Sequence, residues 1–413
     1  MQSVTGQTIG EDAKQLVDGL VEALFFTPEG YENPYPLTAR IRQLSPVHYS
    51  STLDMYTVSS YEGCVRAYER DMRVATFEEH DKEQPGWRDR PGLSWLFRSM
   101  LMSNPPEHTR QRRAAVPFFT GKRVAELSAA VEGVVDRALD ALADAGSDGS
   151  AVDFQEFVGF VIPLTVSGRL LGVAEEDRAR FRWIAEVTSA LTDPVLSPEV
   201  LAKGDEGVME GIEYFRRVID DRRAHPTEDI PSMLVAGGEA SDEDLAFLLV
   251  LMFGASYETT ACLLGNGTAA LLGHPQERRK LQQDPGLAVN AVEEMLRWEA
   301  PAQLGVRYTT TETEISGTVI PQGAGMILLH GAANRDPLQF EAPDRFDISR
   351  RDVRHLSFGG GIHLCLGAHL ARLEARLLFE RLPRRFPRLA QAGAAQLRKA
   401  LDIRGPLTLP VTV

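Results

Sequence analysis

Residues 355–374 read HLSFGGGIHLCLGAHLARLE. Within this stretch Cys365 stands between a glycine-rich loop and the start of an amphipathic helix. Gly359, Gly360 and Gly361 strip side chains from the approach, and Gly367 does the same two residues beyond the sulfur. Glycine lets backbone come close to a ligand. A helix N-terminus adds unpaired N–H groups and partial positive charge, which stabilise a thiolate. The stretch suits a sulfur anion pressed against something large and flat. Cys64 and Cys262 lack such a glycine run and read as ordinary buried thiols. A zinc site is the rival reading, because His355, His363, Cys365 and His369 fall close together. Against it, no second cysteine is near, and a tetrahedral site has no use for three glycines.

The run Phe358–Gly367, FGGGIHLCLG, resembles the haem-binding loop of the cytochrome P-450 family. The resemblance implies a mainly α fold with a smaller β-rich part, and a single haem domain over residues 1–413. It implies haem b (heme, iron protoporphyrin IX) with Cys365 as axial thiolate and metal ligand. Such a thiolate pushes electron density to iron and favours O–O cleavage. Backbone N–H groups after the cysteine tune that donation. Phe358 is expected to exclude water on the sulfur side, and Gly359 and Gly367 to let the cofactor lie close.

A second stretch, Gly254–Leu264, reads GASYETTACLL inside a long apolar helix pattern. A carboxylate there is costly unless paired or functional. It resembles the family's acid–alcohol pair on the helix that crosses the haem. The resemblance gives Thr259 the hydroxyl that meets dioxygen, Glu258 the relay of protons, and Ala255 a place against the cofactor. Where the family has glycine two residues before the acid, this chain has Ser256. That hydroxyl is expected to reshape the oxygen groove.

In AVEEMLRW, Glu294 and Arg297 are three apart and share a helix face. The family has an E-x-x-R motif there, joined by a later arginine, and Arg345 in APDRF matches its position. Cations for the haem carboxylates follow in the family's order: His108 and Arg112 in HTRQR, then Arg307, then His363, with His355 assisting. A buried carboxylate needs such donors. Ordered correspondence runs over about residues 100 to 370.

Helical patterns cover most of the chain, among them Val152–Leu171, Pro198–Arg223, Asp242–Leu272 and Leu366–Arg385. Strand patterns are fewer: Pro46–Ser50, Met55–Ser59, Val306–Thr309, Gly325–His330 and Leu407–Val413. His80–Ser94 and Asn334–Arg350 read as long loops, a length that points to function. Net charge is −14, which argues against nucleic acid or an anionic membrane as partner. Only three cysteines fit a reducing, cytoplasmic setting. Residues 1–20 show no leader pattern, and the longest apolar run, Leu245–Ser256, is short of a membrane span.

The implied activity is that of a monooxygenase using O2 and a small-molecule substrate, acting as a monomer. No flavin or reductase segment follows the cysteine loop, so a separate ferredoxin and ferredoxin reductase are implied. Arg110, Arg113, Arg372, Arg376 and Arg381 are docking candidates for that acidic partner. Substrate walls are expected from Trp87, Leu93, Trp95, Ser256, Ala302 and Leu304, suiting a medium to large apolar molecule in secondary metabolism. Hydroxylation is the expected outcome. Epoxidation, oxidative coupling and cyclisation use the same machinery. A haem protein that only carries or senses a ligand remains the other class.

Overall fold

The run from Leu245 to Phe253 seeds the core. It lies in one helix of 32 residues, Asp242–Gly273, in the computed structural model, which describes residues 11–238 and 240–413. The first ten residues of the stretch read for a leader lie outside the described residues. Ser241 caps the helix by accepting the Asp244 N–H, and Asp242, Glu243 and Asp244 fill the first turn. Acids there match the positive end of the helix dipole. The helix is apolar on nearly all sides, the pattern of a core element. Its length and composition would allow it to cross a membrane. Instead, helices Val161–Leu170, Arg178–Ser189, Pro198–Ala224, Ala288–Trp298 and Ala368–Arg385 pack around it.

The smaller β part stands to one side. The hairpin Val47–Ser50/Met55–Val58 pairs in parallel with Gly325–Leu329, which pairs antiparallel with Leu304–Thr309. Met72–Arg73 closes the far edge. In this register Arg307 faces Met326 across the ladder. The expected last strand is realised as two short ones, Pro406–Thr408 and Pro410–Thr412. The first pairs with Gln396–Leu397 and brings the intervening loop against the central helix.

Two expectations about elements are corrected. Val152–Asp153 is not helical but pairs with Pro410–Thr412, and a π-helical turn at Gln155–Gly159 follows. His80–Ser94 is not an open loop. Thr76 and Glu79 form a capping box that starts helix Phe77–Glu83, and Pro91 starts helix Pro91–Arg98.

The segment Asn334–Arg350 is irregular, as its sequence suggests, and a buried ion pair fixes it. Arg297 donates to both oxygens of Glu294 at 2.7 Å, and both side chains are fully buried. The same guanidinium donates to the carbonyls of Asn334 (3.0 Å), Pro343 (2.8 Å) and Arg345 (3.2 Å). Glu294 also accepts the Asp347 N–H at 2.9 Å. The expected third member, Arg345, supplies only its carbonyl: its side chain is 66% exposed and pairs with Asp347. Arg350 takes the place, with Nε 3.2 Å from Glu294 Oε2. Arg350→Ala is expected to cost about 2 kcal/mol of stability, because a charged, buried acceptor loses a donor. Arg345→Ala is expected to cost less than about 0.5 kcal/mol. Urea unfolding followed by tryptophan fluorescence measures both.

Candidate active site

Cys365 ends a tightly folded loop. Its N–H donates to the Phe358 carbonyl at 2.9 Å, and the Gly359 N–H donates to Leu356 at 2.8 Å. The three glycines answer to Tyr68 rather than to open space. Gly359 and Gly361 have φ of +67° and +63°. A Cβ on Gly360 would lie 2.8 Å from the Tyr68 ring, and one on Gly361 2.5 Å from the Tyr68 carbonyl. Gly367 has no neighbouring atom within 4 Å of such a Cβ, so space does remain beside the sulfur.

Cys365 is the one exposed cysteine; Cys64 and Cys262 are buried. The residue keeps free surface, while protein crowds round its thiol. That burial raises the thiol's pKa. The N–H groups of Gly367 and Ala368, with Arg112 and Arg372, pull it down. The anionic form therefore has donors waiting, while the neutral thiol has little to gain. Among the described residues no three His, Cys, Asp or Glu side chains gather to hold a metal, which removes the zinc reading.

Four cationic or imidazole groups crowd beside this loop. His108 and His363 have ring centroids 4.3 Å apart, and the Nε2 of each is buried without a partner. Arg112 donates to the Leu364 carbonyl at 2.7 Å. Arg307 donates to its neighbour Val306 and lies over the Tyr68 ring at 4.9 Å. Burial, Arg307, His108 and Arg112 together push His363 down to about 3. Burial, Arg112 and Arg307 lower His108 as well. Positive charge is concentrated here and no carboxylate answers it among the ion pairs of the described residues. Such a cluster fits a ligand that carries acid groups of its own. The two propionates of haem meet that requirement.

The middle of the central helix has an open strip. Ala255 is exposed and Thr259 half-buried, whereas Phe253, Gly254, Tyr257 and Glu258 are buried. Thr259 Oγ1 donates to the Ala255 carbonyl at 2.8 Å. Glu258 lies on another face, paired through Oε1 with Arg398, while its Oε2 has no partner. Burial raises the Glu258 pKa and Arg398 opposes the rise.

The family model described as Cytochrome P450 matches residues 80–399. The chain is a cytochrome P450. It is 37% identical over 370 residues to the cytochrome P450 monooxygenase PikC of Streptomyces venezuelae, covering 87% of this chain and 85% of that protein. It is 33% identical over 414 residues to the polyketide biosynthesis cytochrome P450 PksS of Bacillus subtilis, covering 95% of this chain and all of PksS. The solved P450BioI, in complex with an acyl carrier protein ligated to hexadec-9Z-enoic acid, matches with a TM-score of 0.86 and 32% identity. That match covers 93% of this chain and 99% of P450BioI. The protein is a bacterial-type P450 monooxygenase, and the family carries haem b on an axial cysteine thiolate.

Several expected site residues sit elsewhere in this P450. His355 cannot serve a propionate: its Nε2 meets Glu293 at 3.2 Å and its Nδ1 accepts the Ser357 N–H at 3.1 Å. Trp87, Leu93 and Trp95 expose 3% or less of their surface, so they face neither solvent nor a cavity. Trp87 donates to Asp81 at 2.9 Å and Trp95 to the Phe247 carbonyl at 3.1 Å. Ala302 and Leu304 do keep free surface. Ser256 is turned to a neighbouring helix, 2.7 Å from the Ser167 hydroxyl, and does not reshape the open strip. The docking arginines are already engaged: Arg110 with Glu107 and Asp244, Arg372 with Glu293, Arg376 with Glu380, and Arg381 with Glu132 and Asp136. Arg113 is not free either. Sequence reasoning missed Tyr68, which hydrogen-bonds His330, and Arg398; neither sits in a motif.

Two outcomes follow for this site. Ser256→Ala is expected to cost about 1 kcal/mol through the lost hydrogen bond and to leave the haem absorption spectrum unchanged. Arg307→Leu is expected to speed haem transfer to apomyoglobin by roughly tenfold or more.

Proposed function

We propose that this monooxygenase hydroxylates a medium to large, mostly apolar small molecule of secondary metabolism, working as one cytoplasmic, monomeric haem domain. Electrons come singly from a separate ferredoxin and its reductase. The observation that carries the reading is the open strip at Ala255 and Thr259 with a buried acid one residue away. When bound, the haem supplies the iron on which dioxygen is activated.

The residues divide the remaining work. Cys365 holds the iron as thiolate, and the Gly367 and Ala368 N–H groups spread its charge. His108, Arg112, Arg307 and His363 anchor the propionates, since their positive charge and unpartnered atoms seek acids. Thr259 Oγ1, held by the Ala255 carbonyl, presents its hydroxyl at the open strip. Glu258 Oε2, unpartnered, is free to take up and release a proton. A carrier or sensor has no need of such a pair. Ala302 and Leu304 supply apolar wall. The substrate class is supported by the relationship to PksS, which is named for polyketide biosynthesis.

Electron entry fits the recess lined by Gly121, Val124, Val289, His369, Arg372 and Arg376, about 320 Å³ in volume. Because Arg372 and Arg376 are paired with Glu293 and Glu380, the donor must compete with those acids or dock on the apolar floor.

Cys365→Ser is expected to abolish the red-shifted Soret band of the reduced carbon monoxide complex, and a spectrum unaltered by the change would overturn the thiolate assignment. With a ferredoxin system and a substrate found by Soret shift, Thr259→Ala is expected to send most electrons to hydrogen peroxide instead of product. Equal product yield per electron in wild type and variant would count against the role of Thr259.

A further inference from the structure

A second recess reaches Glu258 from a different side. It measures about 200 Å³ and is lined by Glu186, Ser189 and Thr192 on one wall and by Arg398, Lys399 and Asp402 on the other, with Glu258 among its lining residues. The first wall is the end of helix Arg178–Ser189 and the turn after it. The second is the loop between strands Gln396–Leu397 and Pro406–Thr408. The volume holds several water molecules, given about 30 Å³ for each in the liquid.

Unpartnered polar atoms converge there. Glu258 Oε2, Arg398 Nε and Arg398 Nη2 are all buried with no well-formed hydrogen bond inside the protein; only the Ser189 hydroxyl stands beside Glu258 and the Cys262 thiol beside Arg398. Three such atoms on one buried ion pair are costly unless water meets them. Asp402 lines the same recess. Its Oδ2 accepts the Thr192 hydroxyl at 2.6 Å, and the residue keeps part of its surface free. The other acids are occupied. Glu186 accepts from Arg182 at 3.1 Å. Asp193 accepts the N–H groups of Val195 and Leu401 at 3.0 and 2.8 Å. Lys399 is exposed at the rim.

We propose that protons reach Glu258 through this recess, with Asp402 as the relay residue at its outer part and Arg398 as the positioning residue that aims Glu258 Oε2 into it. The proposal rests on the distal-acid reading of Glu258 and adds the route and its residues. In each transfer a proton leaves the Asp402 carboxyl for recess water. One water proton passes to Glu258 Oε2, and Asp402 is reprotonated from solvent. No electron moves. Burial, with Asp193 and Glu258 as negative neighbours, holds Asp402 up at about 7, against the Thr192 hydrogen bond. The facing charges from every packed element are therefore Glu186, Asp193 and Glu258 against Arg398 and Lys399, with Arg182 and Tyr257 behind Glu186 and Glu258. Asp402 thus gives up its proton where a relay needs to.

The test uses holoenzyme with excess reduced surrogate ferredoxin, mixed with oxygen, without substrate. Oxygen consumption is followed against pH in H2O and D2O. The wild-type rate is expected to fall as pH rises through about 7, where Asp402 loses its proton. Asp402→Asn keeps the acceptor for Thr192. It is expected to lower the plateau about tenfold, flatten that limb and enlarge the solvent isotope effect. Asp402→Glu is expected to restore the limb. Arg398→Gln is expected to slow the rate while leaving the limb in place. Independently of turnover, infrared difference spectra of resting holoenzyme are expected to show a protonated-carboxyl band that titrates near pH 7 and is missing in Asp402→Asn. If Asp402→Asn keeps the wild-type limb and isotope effect while Glu258→Gln is slow, this route is wrong and the distal acid stands. If Glu258→Gln is as fast as wild type, the distal acid itself falls and the route with it.

Discussion

The buried pair of Glu294 and Arg297 is the interaction on which the cysteine loop depends. A buried ion pair is tolerable only where the remaining donors and acceptors are satisfied. Here backbone does that, because Arg297 gathers the carbonyls of Asn334, Pro343 and Arg345. Asn334 passes the order on. Its Oδ1 accepts the Leu356 N–H at 2.7 Å and its Nδ2 donates to Ser357 at 2.9 Å. Ser357 in turn donates to the Leu296 carbonyl at 2.6 Å, back on the helix that carries the pair. The Phe358 carbonyl, next along, accepts the Cys365 N–H. A helix and an irregular stretch without a ladder of its own are thus tied in one closed circuit, to which the Cys365 backbone is joined through Phe358.

Charge is distributed against the average of the molecule. The chain carries a net charge of −14, yet His108, Arg112, Arg307 and His363 meet without an acid among the ion pairs of the described residues. Arg112 and Arg307 both raise the cost of charging His108 and His363. A fold does not keep such a concentration for stability's sake. In the proposed site the two acid groups of haem would answer that charge. The Glu258–Arg398 pair is the reverse case. It is balanced in charge but left short of hydrogen bonds, which would suit water rather than an anion.

The stretches that resemble family motifs were legible because their residues lie within a few positions of each other. Cys365 with Gly367, and Glu258 with Thr259, are local patterns that a turn and a helix present on their own. The long helices were legible too, because a sustained apolar pattern has few other uses. Elements built from short segments were less so. Helix Pro91–Arg98 follows a charged stretch rich in proline and glycine, and only its burial against helix Pro198–Ala224 gives it a face. Trp95 on helix Pro91–Arg98, and Trp87 just before it among Phe77, His80 and Phe97, are core rather than the expected pocket walls.

The sequence by itself placed the chain in its family and, through that resemblance, pointed to haem, to Cys365 and to the neighbours Glu258 and Thr259, since the residues of each motif lie within one loop or one helix. Tertiary structure alone decided the partners. Whether Arg345 or Arg350 reaches Glu294, whether His355 serves a ligand or Glu293, and which cation meets Glu258 all depend on segments tens to hundreds of residues apart. Those choices turn on which side chain the packed backbone aims inward, and no local spacing encodes that direction.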